Sequence, residues 1–143
     1  PNYVFLSETR SSVQEMKAIR IKNGFKNCLA VDTEGRRCRL SLLWNEEVDL
    51  SIKSFSQSHF DLSGSTKKWR LMGIYGNPEA HHCHETWSLL CNLASQHNIS
   101  WLCMGDFNEI LSISEKEGGN ERNTWQMDKF CHALDTCRLR DMG

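Results

Sequence analysis

Strand-like segments fill much of the first half of this chain, and strands alternate with helices in the second half. Four runs of apolar and β-favouring residues lie at 25–31, 38–44, 48–55 and 58–62. The breaks between them are polar: Thr33-Glu34-Gly35, Asn45-Glu46-Glu47 and Ser56-Gln57. An antiparallel meander is the simplest arrangement of these four runs. Together with the later helices, it favours sheet layers covered by helices, a mixed α/β or α+β sandwich.

Three segments carry helical signals. Ser12 followed by Glu15 forms a capping box, and the short helix that it starts ends at Asn23. A second helix is predicted between residues 82 and 97, with one apolar face made of Trp87, Leu90, Cys91 and Ala94. A third starts at Asn123 with Gln126, and its apolar face consists of Met127, Phe130, Cys131, Leu134 and Cys137. We therefore expect three amphipathic helices.

Polar residues stand at the ends of the three strands predicted outside the meander. Glu8 follows the run 3–6, and Tyr75 ends the run 69–75, which a Gly-Asn-Pro turn closes. Asp106 and Asn108 follow a run at 101–104 that is apolar enough to be a buried strand. Loops at strand ends can gather polar groups around one site on a rigid sheet. We take these four residues as candidate site residues.

Hydrolysis of a phosphodiester requires a hard cation, an activated water and donors that hold the phosphate. Magnesium prefers oxygen ligands and keeps several waters, so two carboxylates such as Glu8 and Asp106 suffice. In an extended segment Asp106 and Asn108 point the same way while Phe107 turns into the core, which suits a base beside a phosphate holder. By itself, the Gly-Asp-Phe-Asn string is more typical of an ordinary turn.

Composition bounds the possible partners. The 143 residues match one domain, and a formal net charge of −1 gives no large positive field to attract nucleic acid. Any role on nucleic acid must therefore rest on a local site. The sequence contains two groups of basic residues. For both, a position on a solvated loop or strand face is favoured over contact with phosphate. The first group is Arg36, Arg37 and Arg39, and the second is Lys67, Lys68 and Arg70.

Cysteine usage and hydropathy predict the compartment. The chain has seven cysteines, none in a CxxC pair, which fits a reducing compartment. No run approaches the ~20 apolar residues that a bilayer requires, so we expect no membrane association and a nuclear or cytoplasmic protein that is not secreted. The run His81-His82-Cys83-His84 lacks a second pair at zinc-finger spacing, and three consecutive helical positions cannot face one ion. We therefore expect no zinc site.

Several motifs in order make the sequence similar to a known family. The most specific is the run of residues 101–111, with Asp106-Phe107-Asn108 at its centre, followed by Glu-Lys at 115–116 and Gly-Gly at 118–119. Further matches are residues 5–10, 42–44, 73–78 and the final helix with residues 139–143. Over essentially the whole chain, this resembles the endonuclease domain of plant LINE retrotransposons, within the endonuclease/exonuclease/phosphatase superfamily.

The resemblance implies a four-layer α/β/β/α sandwich that cuts DNA with Mg²⁺ or Mn²⁺ to prime reverse transcription. Glu8 is then a metal ligand, and Asp106 a metal ligand that orients or deprotonates the attacking water. Asn108 holds the scissile phosphate, and Tyr75 assists there. The expected partners are DNA and a reverse transcriptase domain of the same polyprotein. For His59, which lies in a matching stretch, we expect a structural role.

The departures from the family predict a partial domain. The first strand of the family, with its Asn motif, and the later Asp and Ser-Asp-His motifs are not found within residues 1–143. The family's Gly-rich segment is replaced by Arg36-Arg37-Cys38-Arg39, as in a decaying copy. We expect marginal stability and no activity from the chain alone, because each lost electrostatic contact costs ~100-fold or more.

Two other interpretations stay open. In the first, the chain is a catalytically dead relic that acts, if at all, as a weak nucleic-acid-binding or structural segment. In the second, it belongs to another branch of the superfamily that acts on phosphoinositides, sphingomyelin or RNA tails. The Ile-Leu, Glu-Lys and Gly-Gly pattern favours the retrotransposon branch over this second one.

Overall fold

A computed structural model describes residues 1–32, 38–119 and 123–142 of the chain. Within these ranges there are seven β-strands and three α-helices. The strands are β1 (Tyr3–Ser7), β2 (Asn27–Val31), β3 (Leu40–Trp44), β4 (Ser51–Phe55), β5 (His59–Ser63), β6 (Arg70–Tyr75) and β7 (Trp101–Asp106). The helices are α1 (Val13–Lys22), α2 (Cys83–Gln96) and α3 (Thr124–Thr136). The α+β class expected from the sequence is confirmed.

The chain forms two compact units. The first comprises residues 1–75 and 99–106, and it holds both sheets and α1. The second comprises residues 76–98 and 107–143, and it holds α2 and α3. The predicted break at Thr33-Glu34-Gly35, together with Arg36 and Arg37, lies outside the described residues.

Two sheets form the first unit. One has the strand order β1-β3-β2 and is antiparallel, and the other has the order β4-β5-β6-β7. In the second sheet β6 and β7 are parallel, while the other pairs are antiparallel. The ring of Phe5 meets that of Phe60 edge to face at 6.2 Å between centroids, and a Cβ at Gly73 would collide with Phe5. Large side chains therefore pack directly between the sheets.

The predicted four-strand meander is wrong in its connection between β3 and β4. These strands belong to different sheets, so residues 45–50 carry the chain from one sheet to the other. Alternating apolar and polar residues predict a strand, but this pattern does not identify the strand with which it pairs. Residues of both sheets contribute to one buried core, which consists of Leu40, Leu42, Phe60, Leu62, Leu71 and Tyr75.

Two local predictions in the first unit have different outcomes. The capping box is present, because the Ser12 hydroxyl accepts from the Glu15 N–H at 3.2 Å and the Glu15 carboxylate accepts from the Ser12 N–H at 2.7 Å. The prediction of a buried strand at 101–104 is wrong. In the described part of the chain β7 lies at the edge of its sheet, and Leu102 is 47% exposed.

The second unit is built on its two helices. Asn123 caps α3, its side chain accepting from the Trp125 N–H at 3.0 Å, as predicted. The apolar faces of α2 and α3 share a cluster with Cys83, Trp87, Phe130 and Ala133 at its centre. None of the helices in the described ranges is long and apolar enough to cross a bilayer.

Candidate functional site

Tyr75 and Asp106 end two neighbouring parallel strands. Tyr75 is the last residue of β6 and Asp106 the last of β7, and the two are partners in the strand register. Because parallel strands present their C-terminal ends at the same edge of a sheet, the two side chains leave the sheet from adjacent positions. Tyr75 is buried and Asp106 is partly exposed.

Glu8 reaches this edge from the other sheet. It follows β1, and its carboxylate Oε1 accepts a hydrogen bond of 2.8 Å from the Tyr75 hydroxyl. Its backbone has φ +50° and donates its N–H to the Arg39 carbonyl at 2.7 Å, while the Thr9 hydroxyl donates to the Cys38 carbonyl at 2.8 Å. These bonds to the chain before β3 hold Glu8 beside the end of β6.

A glycine sets the backbone before Asp106. Gly105 has φ +140°, a conformation that side chains rarely adopt, and a Cβ there would collide with the Ile74 carbonyl oxygen. The register pairs Gly105 with Ile74 just as it pairs the next residues, Asp106 and Tyr75. Glycine is therefore required at position 105 by the close approach of the two strands just before Asp106.

Asn108 does not continue the extended chain. Its φ of +52° places it in the left-handed region, which asparagine tolerates better than most residues. The prediction of an extended segment from Asp106 to Asn108 is therefore wrong. The Asn108 amide Nδ2 donates to the Gly76 carbonyl at 2.8 Å, within the second unit. Phe107 enters the core as expected, its ring 5.5 Å from that of Phe130.

Within the first unit Tyr75 is hydrogen-bonded to Glu8, and Asp106 stands beside Tyr75 in the strand register. Asn108 belongs to the second unit. There its side-chain amide is held by the hydrogen bond to the carbonyl of Gly76, the residue after Tyr75. Glu8 and Asp106 supply carboxylate oxygens and Tyr75 a phenol, an all-oxygen set that fits a hard divalent cation such as Mg²⁺.

Arg39, expected on a solvated loop or strand face, lies next to Tyr75. Its guanidinium carbon lies 5.7 Å from the centre of the Tyr75 ring, and its side chain is exposed. A permanent positive charge thus stands next to the carboxylate-bearing edge. Its position one residue before β3, which is paired with β1, could have pointed to it, but only once the pairing was known.

Arg70, from the other basic group, has a different environment from the one expected. It forms two hydrogen bonds to the Asp61 carboxylate, of 2.8 and 2.9 Å, and both side chains are 1% exposed. Its guanidinium carbon also lies 5.2 Å from the Trp101 ring centre. The prediction of a solvated strand face is wrong for Arg70, which forms a buried ion pair in the sheet.

His59 occupies a buried position on β5. The hydroxyls of Ser54 and Ser56 lie 2.9 and 2.8 Å from its two ring nitrogens. Burial lowers the pKa of His59 below 6.5, and the charge of Asp61 opposes this only in part. A neutral imidazole held on both sides by hydroxyls fits the structural role expected from the sequence.

The two sheets and the helices form an α+β fold, with polar side chains where strands of both sheets end. An AP endonuclease from Archaeoglobus fulgidus is similar, with a TM-score of 0.71 and 12% identity over 94% of this chain and 60% of that one. The 3' phosphatase NExo from Neisseria, solved with a product DNA hairpin, has a TM-score of 0.60 and 11% identity over 95% of this chain and 61% of its own.

These similarities establish the fold, which is that of nuclease-type hydrolases. This chain spans about 60% of the length of both solved structures. No protein-family model matches the sequence, and no curated protein matches it.

Proposed function

We propose that this chain is part of a metal-dependent phosphodiesterase that nicks DNA. The observation that supports this most directly is the hydrogen bond from Tyr75 to Glu8 beside the register pair of Tyr75 and Asp106. The bond holds the Glu8 carboxylate of one sheet at a strand end of the other, and the register sets Asp106 next to the same tyrosine, so two carboxylate residues are available for a metal ion. The similarity to DNA-acting solved structures supports the same substrate class.

In this proposal Glu8 and Asp106 hold Mg²⁺ or Mn²⁺, which when bound stabilises the charge that develops on the phosphate. Asp106 orients the attacking water and accepts its proton. The Tyr75 hydroxyl, whose single proton is donated to Glu8 in this structure, assists at the phosphate once Glu8 binds the metal. The resemblance gives Asn108 the role of holding the phosphate. Arg39 adds a cation beside Tyr75 that suits a DNA backbone.

The finer part of the proposal follows from the sequence resemblance to plant LINE endonucleases. The nick would prime reverse transcription by a reverse transcriptase domain of the same polyprotein. That family carries further catalytic motifs that do not occur within residues 1–143. We therefore propose that the isolated chain binds the metal but nicks DNA weakly or not at all, because transition-state contacts are missing.

Manganese binding tests the site without depending on turnover. We expect Mn²⁺, followed by the loss of its free-ion electron paramagnetic resonance signal, to bind the purified chain. Glu8→Gln and Asp106→Asn should each weaken binding by about 10-fold or more, since each removes a charged ligand. Asp128→Asn, at an exposed position of α3, is the matched control and should bind as the unaltered chain does. Equal affinity in all four proteins would refute the site.

Plasmid nicking tests whether the chain is catalytically complete. Incubation with supercoiled DNA and Mg²⁺ should give little open circular product. If the chain nicks the plasmid strongly, and EDTA or Asp106→Ala abolishes this nicking, the proposal that the isolated chain is catalytically incomplete is wrong. The same result would support its assignment as a nuclease. DNA binding that is unaffected by Mg²⁺ and by Asp106→Asn would instead support the non-catalytic binding interpretation.

A further inference from the structure

Three metal-binding side chains converge in the second unit, just after the Pro78 turn. They are Glu79, which precedes a short 3-10 helix (Ala80–His82), and His81 and His82, which belong to that helix before α2. The Glu79 carboxylate Oε2 lies 3.2 Å from His81 Nε2 and 4.0 Å from His82 Nε2. All three ligand atoms lie within 4.8 Å of one another, close enough to share one ion.

A second carboxylate orients one of these histidines. Glu85, in the first turn of α2, lies with Oε1 at 2.8 Å from His82 Nδ1. A carboxylate at this distance makes Nδ1 the protonated nitrogen, so the lone pair of the neutral ring is on Nε2, which faces Glu79. Carboxylates commonly hold metal-binding histidines in this way, fixing the ring and raising its basicity.

The backbone around the cluster is also held. His84 Nδ1 lies 3.0 Å from the His81 carbonyl, and its ring stacks with the His82 ring at 6.4 Å between centroids. The Cys83 thiol donates to the Ala80 carbonyl, and Cys83 is buried with the apolar cluster. The cysteine therefore faces away from the three ligands, which leaves an imidazole and carboxylate set.

We propose that Glu79, His81 and His82 form a surface site that binds Zn²⁺, a borderline-soft divalent ion. Two imidazoles and one carboxylate are a recognised donor set for Zn²⁺, with the remaining position filled by water. Mg²⁺ favours oxygen donors, so the two nitrogens select against the ion proposed for Glu8 and Asp106. The ion would hold Glu79 to the two histidines of the 3-10 helix that leads into α2.

The sequence predicts no zinc site in the His-His-Cys-His run, because three consecutive positions on one α-helix cannot face the same ion. In the structure the first two histidines lie on a 3-10 helix before α2, and the third ligand is Glu79, upstream of the run. The third ligand therefore comes from outside the run, and its carboxylate lies near both imidazoles.

Cobalt titration tests this site, because Co²⁺ replaces Zn²⁺ and its visible spectrum distinguishes thiolate ligands from nitrogen and oxygen ligands. The reduced chain should bind Co²⁺ without a thiolate charge-transfer band and release it on addition of Zn²⁺. His81→Ala and His82→Ala should abolish this binding. Glu85→Gln should weaken it by about 10-fold, as expected for a residue that orients a ligand.

The controls separate this site from the proposed nuclease site. His97→Ala removes an exposed histidine just after α2 and should leave Co²⁺ affinity unchanged. Asp106→Asn should weaken Mn²⁺ binding and leave Co²⁺ affinity unchanged, whereas His82→Ala should abolish Co²⁺ binding and leave Mn²⁺ affinity unchanged, so either site can fail alone. Unchanged Co²⁺ affinity in His82→Ala, or a thiolate band in the unaltered chain, would overturn the proposal. Circular dichroism checks that each surface variant folds.

Discussion

The Tyr75 hydroxyl donates a 2.8 Å hydrogen bond to Glu8 Oε1, and this bond joins residues from two different sheets. Tyr75 ends a strand of one sheet, and Glu8 follows a strand of the other. Since Tyr75 is buried and Glu8 is exposed, the packed phenol ring supports an exposed carboxylate. The position of Glu8 at the candidate site thus depends on packing between the sheets.

Tyr75→Phe should destabilise the fold modestly. The ring stays packed, but one hydrogen bond to a carboxylate is lost, at a cost of about 1 kcal/mol since Glu8 can still be solvated. Urea unfolding followed by tryptophan fluorescence measures this difference. Tyr3→Phe is the control, since Tyr3 is 43% exposed. Equal unfolding free energies for the two variants would mean that the bond contributes nothing to stability.

Asp61→Ala should destabilise far more than any surface substitution. It leaves the buried guanidinium of Arg70 without its partner, and breaking such a pair costs about 3–5 kcal/mol. Asp61→Leu combined with Arg70→Met should recover much of this, since no charge then stays buried. Urea unfolding of the single and double variants measures both effects, with the exposed Asp128→Ala as control. A double variant less stable than Asp61→Ala would contradict this account.

Gly105→Ala and Gly24→Ala should differ clearly in thermal unfolding. Both glycines have positive φ, but a Cβ at Gly24 meets nothing within 4 Å, whereas one at Gly105 collides with the Ile74 carbonyl. Gly24→Ala should therefore cost only the backbone strain, about 1–2 kcal/mol. Gly105→Ala should cost more and separate the ends of β6 and β7. Similar midpoints in calorimetry would show that the strands relax without cost.

His59 should make the fold sensitive to acid. Its folded-state pKa is lowered, chiefly by burial, so the folded chain favours the neutral ring more than the unfolded chain does. The stability this provides is complete above pH 6.5 and is lost as pH falls through the folded pKa. His59→Gln should reduce the loss of unfolding free energy between pH 7.5 and pH 5, and the exposed His97→Gln should not. Parallel pH profiles for all three proteins would contradict this role.

Much of the local structure was predictable from the sequence. The capping box at Ser12 and the helix start at Asn123 are local hydrogen-bonding patterns, which neighbouring residues determine almost alone. The same holds for the positions of Glu8, Tyr75 and Asp106 at strand ends, because a run of apolar residues that stops marks where a strand leaves the core.

Only the tertiary structure decided which strands pair. It placed β3 and β4 in different sheets, put β7 at an edge and set Tyr75 beside Asp106 in a parallel register. It also gave Arg39 and Arg70, which looked alike in the sequence, an exposed position over Tyr75 and a buried ion pair. Sequence patterns report which residues avoid water and how the backbone bends locally. Strand partners, and the charges that meet across them, are settled by contacts between residues far apart in the chain.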